Sequence, residues 1–130
     1  MVHMLKGVLM VDDVITYKDV SIAPYRGHAR VRLKGEELMS SADALVLREG
    51  SASALIYFPM KDVPTGLLRP TDHSSFCPKK GRASYWDVVR GDVILENAVW
   101  GYPLPLSQVA ILADYVSFYP NLVEIDAPGI

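Results

Sequence analysis

The sequence predicts a mainly β domain, a sandwich or partly open barrel of about seven to nine short antiparallel strands with one or two short helices. Short apolar or alternating segments recur along the chain and are separated by glycine, proline or asparagine. Residues 28–34 alternate strictly between apolar and charged side chains, as in a strand with one buried face. Residues 82–89 and 93–96 flank the turn 90–92, which is a hairpin pattern.

The remaining elements follow from the same patterns. The other predicted strands cover residues 15–22, 43–49, 54–58, 114–119 and 122–125, and a tight turn at 35–36 leads into residues 37–40. The segment 43–49 also suits two helical turns, but the glycine and serine after it favour a strand. A helix is predicted over 105–112 with Ser107 as its N-cap, and one helical turn suits the loop 61–66. We expect residues 1–14 to be an N-terminal extension and 15–130 a single all-β domain.

Composition narrows the class of protein but not its activity. The chain has 130 residues, a formal net charge of -2 and a hydrophobic fraction of 50%, as in an ordinary globular domain. The lack of a basic excess argues against a nucleic-acid partner, and no apolar run is long enough to predict a membrane span. A single cysteine excludes an internal disulfide. The first apolar run is too short for a signal peptide, so we expect a cytoplasmic protein.

Residues suited to chemistry are concentrated between positions 69 and 119, which include the only cysteine and both tryptophans. Cys77 precedes two lysines and follows His73 by four residues. Cations stabilise a thiolate and a histidine can accept its proton, so the pair could act as nucleophile and base. Alternatively, Cys77 is a small buried residue and His73 caps a turn. No metal site is predicted, because no further ligands follow a recognisable spacing, and no cofactor is assigned.

Aromatic and charged residues suggest a ligand groove. Residues 100–105 carry two large rings and two stiffening prolines, and could form one wall of a pocket that stacks a flat ligand. Lys80 could hold a phosphate or carboxylate, and Gly81 would let a ligand or backbone approach closely. The predicted ligand-binding residues are one lysine, two acids and four aromatic residues, namely Glu49, Tyr57, Asp62, Lys80, Trp86, Trp100 and Tyr102.

The same residues also have structural explanations. The rings could be core residues, since most aromatic side chains in a β domain pack inside it. Strand alternation would place Tyr85 and Trp86 on opposite faces. Glu49 and Asp62 could be surface acids paired with a nearby arginine or lysine.

Several short motifs have a specific order and spacing. They are Val31-Arg32, Gly35, Ala44, Glu49, Tyr57-Phe58-Pro59, Asp62-Val63, Leu68, Cys77-Pro78, Lys80-Gly81, Ala83, Tyr85-Trp86, Trp100, Tyr102-Pro103, Pro105, Ile111 and Phe118-Tyr119. On these residues, the chain from position 28 to about 126 resembles the family called domain of unknown function 427. That family is sometimes labelled a nucleotidyltransferase domain.

The resemblance implies a small all-β domain of the β-tent kind, in which two sheets lean together over a groove, but it implies no activity. Lys79 stands where the family often has an aromatic residue, and Asn97 stands where it often has an acid. Other β-tent proteins hold zinc with two Cys-x-x-Cys pairs, which one cysteine cannot supply. A nucleotidyltransferase would need an Asp-x-Asp pair after its Gly-Ser. Gly50-Ser51 is present without such a pair, so the sequence does not support that label.

Three functions remain open, and the sequence does not decide whether the protein is an enzyme. The first is a domain whose aromatic groove binds an unidentified small molecule, with Cys77, His73 and Lys80 as polar contacts. The second is a cysteine-dependent enzyme that uses Cys77 and His73. The third is a non-catalytic interaction module or homo-oligomer in which the aromatic loop or an edge strand pairs with a partner or a second copy of the chain.

Overall fold

Two antiparallel sheets contain most of the strands in a computed structural model that describes residues 14–130. Before residue 14 it describes two paired strands, β1 (Met4–Leu5) and β2 (Val8–Leu9). Apart from Val14, the other residues of the predicted extension lie outside the described residues. The proposed division into residues 1–14 and 15–130 therefore stays a prediction.

The larger sheet has eight strands, and their spatial order differs from their order in the chain. From edge to edge it contains β3 (Ile15–Tyr17), β4 (Val20–Pro24), β7 (Leu45–Glu49), β8 (Leu55–Pro59), β12 (Tyr115–Phe118), β11 (Val93–Gly101), β10 (Gly81–Arg90) and β9 (Leu68–Cys77). The smaller sheet contains β13 (Glu124–Asp126), β5 (Ala29–Leu33) and β6 (Glu36–Ser41). The chain leaves the larger sheet after β4, returns at β7, and leaves again after β12.

The predicted fold class is confirmed, because the protein is mainly β and its described strands form no closed barrel. The two sheets hold eight and three strands, more than the seven to nine expected. One reason lies in residues 15–22, which were expected to form one strand. Lys18 has a left-handed backbone conformation (φ 55°) there, so the chain turns back and forms β3 and β4 as a hairpin.

The edge strand β9 is the second addition, and local sequence patterns do not indicate it. Most of its side chains are exposed, so the alternation that identifies a half-buried strand is missing. Pro70 suits an edge position, since proline has no N–H to donate to a further strand. His73 lies within this strand and not in the expected turn, although its backbone N–H donates to Thr71 Oγ1 at 3.2 Å.

Alternating residues of the larger sheet build two apolar clusters, one on each face. The first lies between the sheets and includes Phe58 and Val99 together with Val31 of the smaller sheet. The second lies on the opposite face and includes Tyr57 and Trp100. Neighbours in sequence are thus divided between the clusters, as the two-residue period of a strand requires.

Two 3₁₀ segments replace the predicted helix and helical turn. The shorter one, Met60–Asp62, follows β8. The longer one, Ser107–Asp114, begins two residues after the start of the predicted helix 105–112. Ser107 is not its N-cap, because Leu106 occupies that position without a side-chain hydrogen bond. The Ser107 hydroxyl donates instead to the side chain of the next residue, at 3.3 Å.

Gly101 in β11 occupies a position without room for a side chain. A Cβ atom there would lie 2.8 Å from the Tyr115 carbonyl oxygen and 3.2 Å from Val116 Cγ1. The carbonyl belongs to the paired strand β12, so it cannot move without disturbing the sheet.

We predict that Gly101→Ala lowers the free energy of unfolding by about 1 to 3 kcal/mol, measured by urea denaturation. Exposed Glu96 in the same strand is the control. Glu96→Ala should cost less than about 0.5 kcal/mol, and equal losses would argue against the clash.

Candidate functional site

Four charged side chains join segments that are far apart in the larger sheet. Lys80 Nζ lies 2.7 Å from Glu49 Oε1, at the end of β7. Lys79 Nζ lies 2.6 Å from Asp19 Oδ1 and 3.2 Å from Glu49 Oε2. Asp19 follows β3 and the lysines follow β9, which are the two edge strands, so the sheet must curl to bring them together. We call Asp19, Glu49, Lys79 and Lys80 the ion cluster.

Lys80 is the buried member of the ion cluster. Its side chain is 8% exposed, whereas that of Glu49 is 31% exposed. A buried ammonium group needs partners, because its removal from water costs free energy. Besides Glu49, Lys80 Nζ lies 3.8 Å from Cys77 Sγ and 5.9 Å from the centre of the Tyr102 ring. The ammonium therefore contacts a carboxylate, a thiol and an aromatic ring together.

Main-chain hydrogen bonds fix the turn that carries Lys80. The Lys80 N–H donates to the Cys77 carbonyl at 3.1 Å, and the Lys80 carbonyl accepts from the Leu106 N–H at 2.9 Å. Gly81 follows with φ 118°, a conformation that favours glycine. A Cβ atom there would lie 3.4 Å from both Leu104 O and Leu106 N. The close approach that Gly81 permits is therefore to the proline-containing loop after β11.

An aromatic cluster adjoins Lys80, and we define it as Tyr57, Tyr85, Trp100, Tyr102 and Tyr119. Trp100 Nε1 donates to the Tyr57 hydroxyl at 3.1 Å, and the two rings meet edge to face. The Tyr119 ring lies 4.5 Å from that of Trp100. Trp100 and Tyr102 are only 8% and 6% exposed. These rings pack mainly on one another and not along an open groove.

Burial raises the pKa of three tyrosine hydroxyl groups in this cluster, those of Tyr57, Tyr102 and Tyr119. It raises the pKa of Tyr57, and the nearby Tyr102 raises it further. Burial also raises the pKa of Tyr102, with Cys77 as the next contributor. For Tyr119, burial and a hydrogen bond with Tyr85 raise the pKa to about 12. These groups act as neutral hydrogen-bonding partners at physiological pH.

Cys77 and His73, the predicted nucleophile and base, are not adjacent. Both belong to β9 and lie four residues apart, so an extended strand separates their Cα atoms by about 13 Å. The exposed His73 packs its ring against Tyr85, with the ring centres 4.4 Å apart. The polar neighbour of Cys77 is Lys80 rather than His73.

Two predicted ligand-binding residues lie away from the ion cluster. Asp62 is in the first 3₁₀ segment, where its carboxylate accepts from Ser41 Oγ at 2.6 Å and pairs with Lys61. Trp86 packs against the first apolar cluster, on the opposite face of the sheet from Tyr85, as alternation predicts. The structure does bring together the other predicted residues, which are Glu49, Tyr57, Cys77, Lys80, Trp100 and Tyr102.

Sequence reasoning did not assign Asp19, Lys79 or Tyr85 to this site. Tyr85 could have been placed from alternation in β10, which puts it on the face opposite Trp86. Lys79 could have been placed from its position beside Lys80. Asp19 had no local signal, because its partner is 60 residues away in the chain and meets it only when the sheet curls.

Three clefts described between residues 14 and 130 are not lined by any residue of the ion cluster. The one lined by Tyr25, Arg48 and Pro128 has a volume of about 350 Å³, and another lies beside Met60 and Tyr115. No group of three His, Cys, Asp or Glu side chains in that range could hold a metal ion. The same range contains no helix with the length and apolar character of a membrane span.

A family model described as a domain of unknown function, DUF427, matches residues 21–128. The chain belongs to the DUF427 family. No curated protein matches the chain. The DUF427 match covers three members of the ion cluster, while Asp19 lies just before it.

Two positions at which other residue types were expected, Lys79 and Asn97, have clear structural roles. Lys79 pairs with both carboxylates of the ion cluster. Asn97 has φ 49°, a left-handed conformation that asparagine tolerates better than most residues. Its N–H donates to Asp87 Oδ1 at 2.8 Å, and its Oδ1 accepts from the Thr71 hydroxyl at 2.7 Å. Asn97 therefore connects irregular regions of β9, β10 and β11.

Glu49 should stabilise the protein in a pH-dependent way. Its hydrogen bond from Lys80 lowers the pKa of its carboxyl group, although burial opposes that change. A carboxyl group with a lowered folded pKa contributes stability above its unfolded pKa of about 4.3. That contribution is lost as the pH falls through the folded pKa. We predict that Glu49→Gln reduces the free energy of unfolding near about pH 7, and that the difference from wild type shrinks towards about pH 3 in urea denaturation.

Glu36→Gln is the matched control for this measurement. The Glu36 side chain is 73% exposed in its pair with Arg90, so its replacement should change the free energy of unfolding by less than about 0.5 kcal/mol. A Glu49→Gln effect of the same size at both pH values would exclude the charge of Glu49 as its cause.

Proposed function

We propose that this DUF427 domain binds a small molecule at Lys80, between the ion cluster and the aromatic cluster. The supporting observation is the environment of Lys80, whose side chain is 8% exposed and contacts Glu49, Cys77 and Tyr102. A buried ion pair adds little net stability, because desolvation of the two charges offsets much of their attraction. Charged groups in such partly apolar surroundings are concentrated at binding and catalytic sites.

The surroundings of Lys80 suit a ligand with a polar end and an apolar part. A lysine ammonium group has three N–H donors. Two are directed to Glu49 and Cys77, so one remains for a ligand. The rings of Trp100 and Tyr102 provide apolar contact beside it. Because backbone hydrogen bonds already hold the turn of Lys80, little ordering is needed when the ligand binds.

A thermal-shift panel of nucleotides, sugars, phosphates, thiol cofactors and metals tests this function. A ligand at about a hundred times its Kd adds about 2.7 kcal/mol to stability, which raises Tm by several degrees in a domain of this size. We predict that at least one compound raises Tm and that Lys80→Met, which removes the ammonium group but keeps an unbranched side chain, abolishes the response.

Lys61→Met is the control, because Lys61 is 62% exposed and pairs with Asp43 outside the ion cluster. This variant should respond to the same compound as the wild type does. A response that persists in Lys80→Met would place the ligand elsewhere and reject the proposed site.

One contact favours a second function, that of a cysteine-dependent enzyme. Lys80 Nζ lies 3.8 Å from Cys77 Sγ. A cation beside a sulfur atom stabilises the thiolate, which is the form that attacks electrophiles. Because His73 is about 13 Å away along β9, Glu49 and Lys80 would have to supply the proton transfer in its place.

Alkylation by iodoacetamide tests this second function, since Cys77 is the only cysteine in the chain. We predict that Cys77 reacts faster than a free cysteine at neutral pH and that Lys80→Met slows the reaction several-fold, while Lys61→Met does not. The rate is measured by mass spectrometry. Absence of labelling, or a rate no faster than that of free cysteine in every variant, would rule out an activated thiol.

A further inference from the structure

Cys77 is placed for oxidation by a small peroxide. The residue is partly exposed, and hydrogen peroxide is little larger than water. Lys80 Nζ lies 3.8 Å from the Cys77 sulfur and favours its thiolate, which is the form that peroxide oxidises. The reaction of the thiol with one hydrogen peroxide gives a sulfenic acid and water. The groups around the sulfur then decide what this sulfenic acid becomes.

Two common reactions of a sulfenic acid are closed to Cys77 within this chain. It cannot form an internal disulfide, because the chain has no second cysteine. It also cannot form a cyclic sulfenamide with the backbone nitrogen of the next residue. That residue is Pro78, whose nitrogen carries no hydrogen. The remaining reaction partners are a side chain in contact with the sulfur and further peroxide.

Lys80 is the side chain that brings an amine to this sulfur. It is 8% exposed, and its Nζ is held 3.8 Å from Cys77 Sγ. The neighbouring amine, Lys79 Nζ, is directed to Asp19 at 2.6 Å and to Glu49 at 3.2 Å. Within residues 14–130, Lys79 makes no hydrogen bond to Cys77. The structure therefore distinguishes two adjacent lysines, of which one contacts the thiol.

The turn holds the sulfur and the amine near each other before any reaction. The Lys80 N–H donates to the Cys77 carbonyl at 3.1 Å, and the Lys80 carbonyl accepts from the Leu106 N–H at 2.9 Å. Groups held close in this way react faster with each other than with molecules from solution. The low exposure of Lys80 also limits the access of water to the reacting atoms.

We propose that oxidation by a peroxide joins Cys77 to Lys80 through a covalent sulfur–nitrogen bond, a sulfenamide. The Lys80 ammonium group first gives a proton to Glu49 Oε1, 2.7 Å away. The neutral amine then attacks the sulfur of the sulfenic acid. The S–N bond forms, the S–O bond breaks, and the leaving hydroxide takes a proton from the nitrogen and becomes water. Overall, a thiol, an amine and one hydrogen peroxide give a sulfenamide and two water molecules, so the sulfur is oxidised and the peroxide is reduced.

The bond makes Cys77 and Lys80 a reversible redox switch, and this inference does not require the proposed ligand. Two molecules of a thiol reduce the S–N bond, restore the Cys77 thiol and the Lys80 amine, and become a disulfide. The bond also protects Cys77 from oxidation to a sulfinic acid, which thiols do not reverse. Because the linked nitrogen is no longer an ammonium group, oxidation also removes the charge on which the proposed ligand site depends.

Peptide mass spectrometry of the peroxide-treated protein tests this proposal. The folded protein is treated with hydrogen peroxide, alkylated with iodoacetamide and digested with trypsin without a reductant. All methionines precede Lys61, so their oxidation does not change the tryptic peptides that contain Cys77. We expect a Cys77 peptide about 2 Da lighter than the free-thiol form. It should be uncut after Lys80, because trypsin requires a charged lysine, and dithiothreitol should restore both mass and cleavage.

Lys80→Met and Lys79→Met are the matched variants, since each removes one ammonium group from the same turn and only Lys80 contacts Cys77. Lys79→Met should still form the bond. In Lys80→Met, Cys77 should instead become a sulfenic or sulfinic acid, about 16 or 32 Da heavier than the thiol. The loss of cleavage after Lys80 is measured in the wild type, so the test holds even if Lys80→Met does not fold.

Three results would overturn the proposal. In the first, wild-type Cys77 stays unoxidised or becomes a sulfinic acid while trypsin still cleaves after Lys80. In the second, Lys80→Met also gives the lighter peptide. In the third, Lys79→Met prevents the bond, which would assign it to the wrong lysine. None of these results bears on the proposed function, which is tested by the Lys80-dependent thermal shift of the reduced protein.

Discussion

The contact between Lys80 and Glu49, 2.7 Å long, connects the curvature of the larger sheet to the candidate site. Glu49 ends β7, near one edge of the sheet, whereas Lys80 follows β9 at the other edge. A flat sheet could not bring these residues together. When the sheet curls, one of its faces becomes a concave interior that holds the aromatic cluster. The ion pair therefore depends on the fold and also helps to fix it, and the site lies where the two edges approach.

Local patterns in the sequence predicted the parts of this arrangement that depend on neighbouring residues. Alternation separated Tyr85 from Trp86, and turn residues located the hairpin of β10 and β11. The strand β9 was not predicted, because an edge strand exposed on both faces shows no alternation of apolar residues. The pairing of Asp19 with Lys79 was not predicted for a different reason. It depends on the path of the whole sheet and has no local signal in the sequence.

The same difference between local and long-range information explains which candidate residues were predicted correctly as neighbours. Lys80, Cys77 and Tyr102 were identified as rare residue types grouped in one stretch, and the tertiary structure places them in contact. His73 was paired with Cys77 by sequence distance alone, which assumes a turn, and in an extended strand four residues span about 13 Å. Whether a partner or a second copy covers β9 stays a prediction, although Pro70 makes that edge less suited to a further strand.

The turn between β9 and β10 has a consequence for which changes in chain length the fold can accept. Its lysine is held by Glu49 through the side chain and by Leu106 through the backbone, and Gly81 packs directly on the following loop. One inserted residue would break all three contacts together. The turn between β10 and β11 differs, because no atom of the described residues other than Gly91 and its chain neighbours lies within 4 Å of the Gly91 Cβ position. Insertions should therefore be tolerated at that end of the hairpin, while the end that carries Lys80 keeps a fixed length.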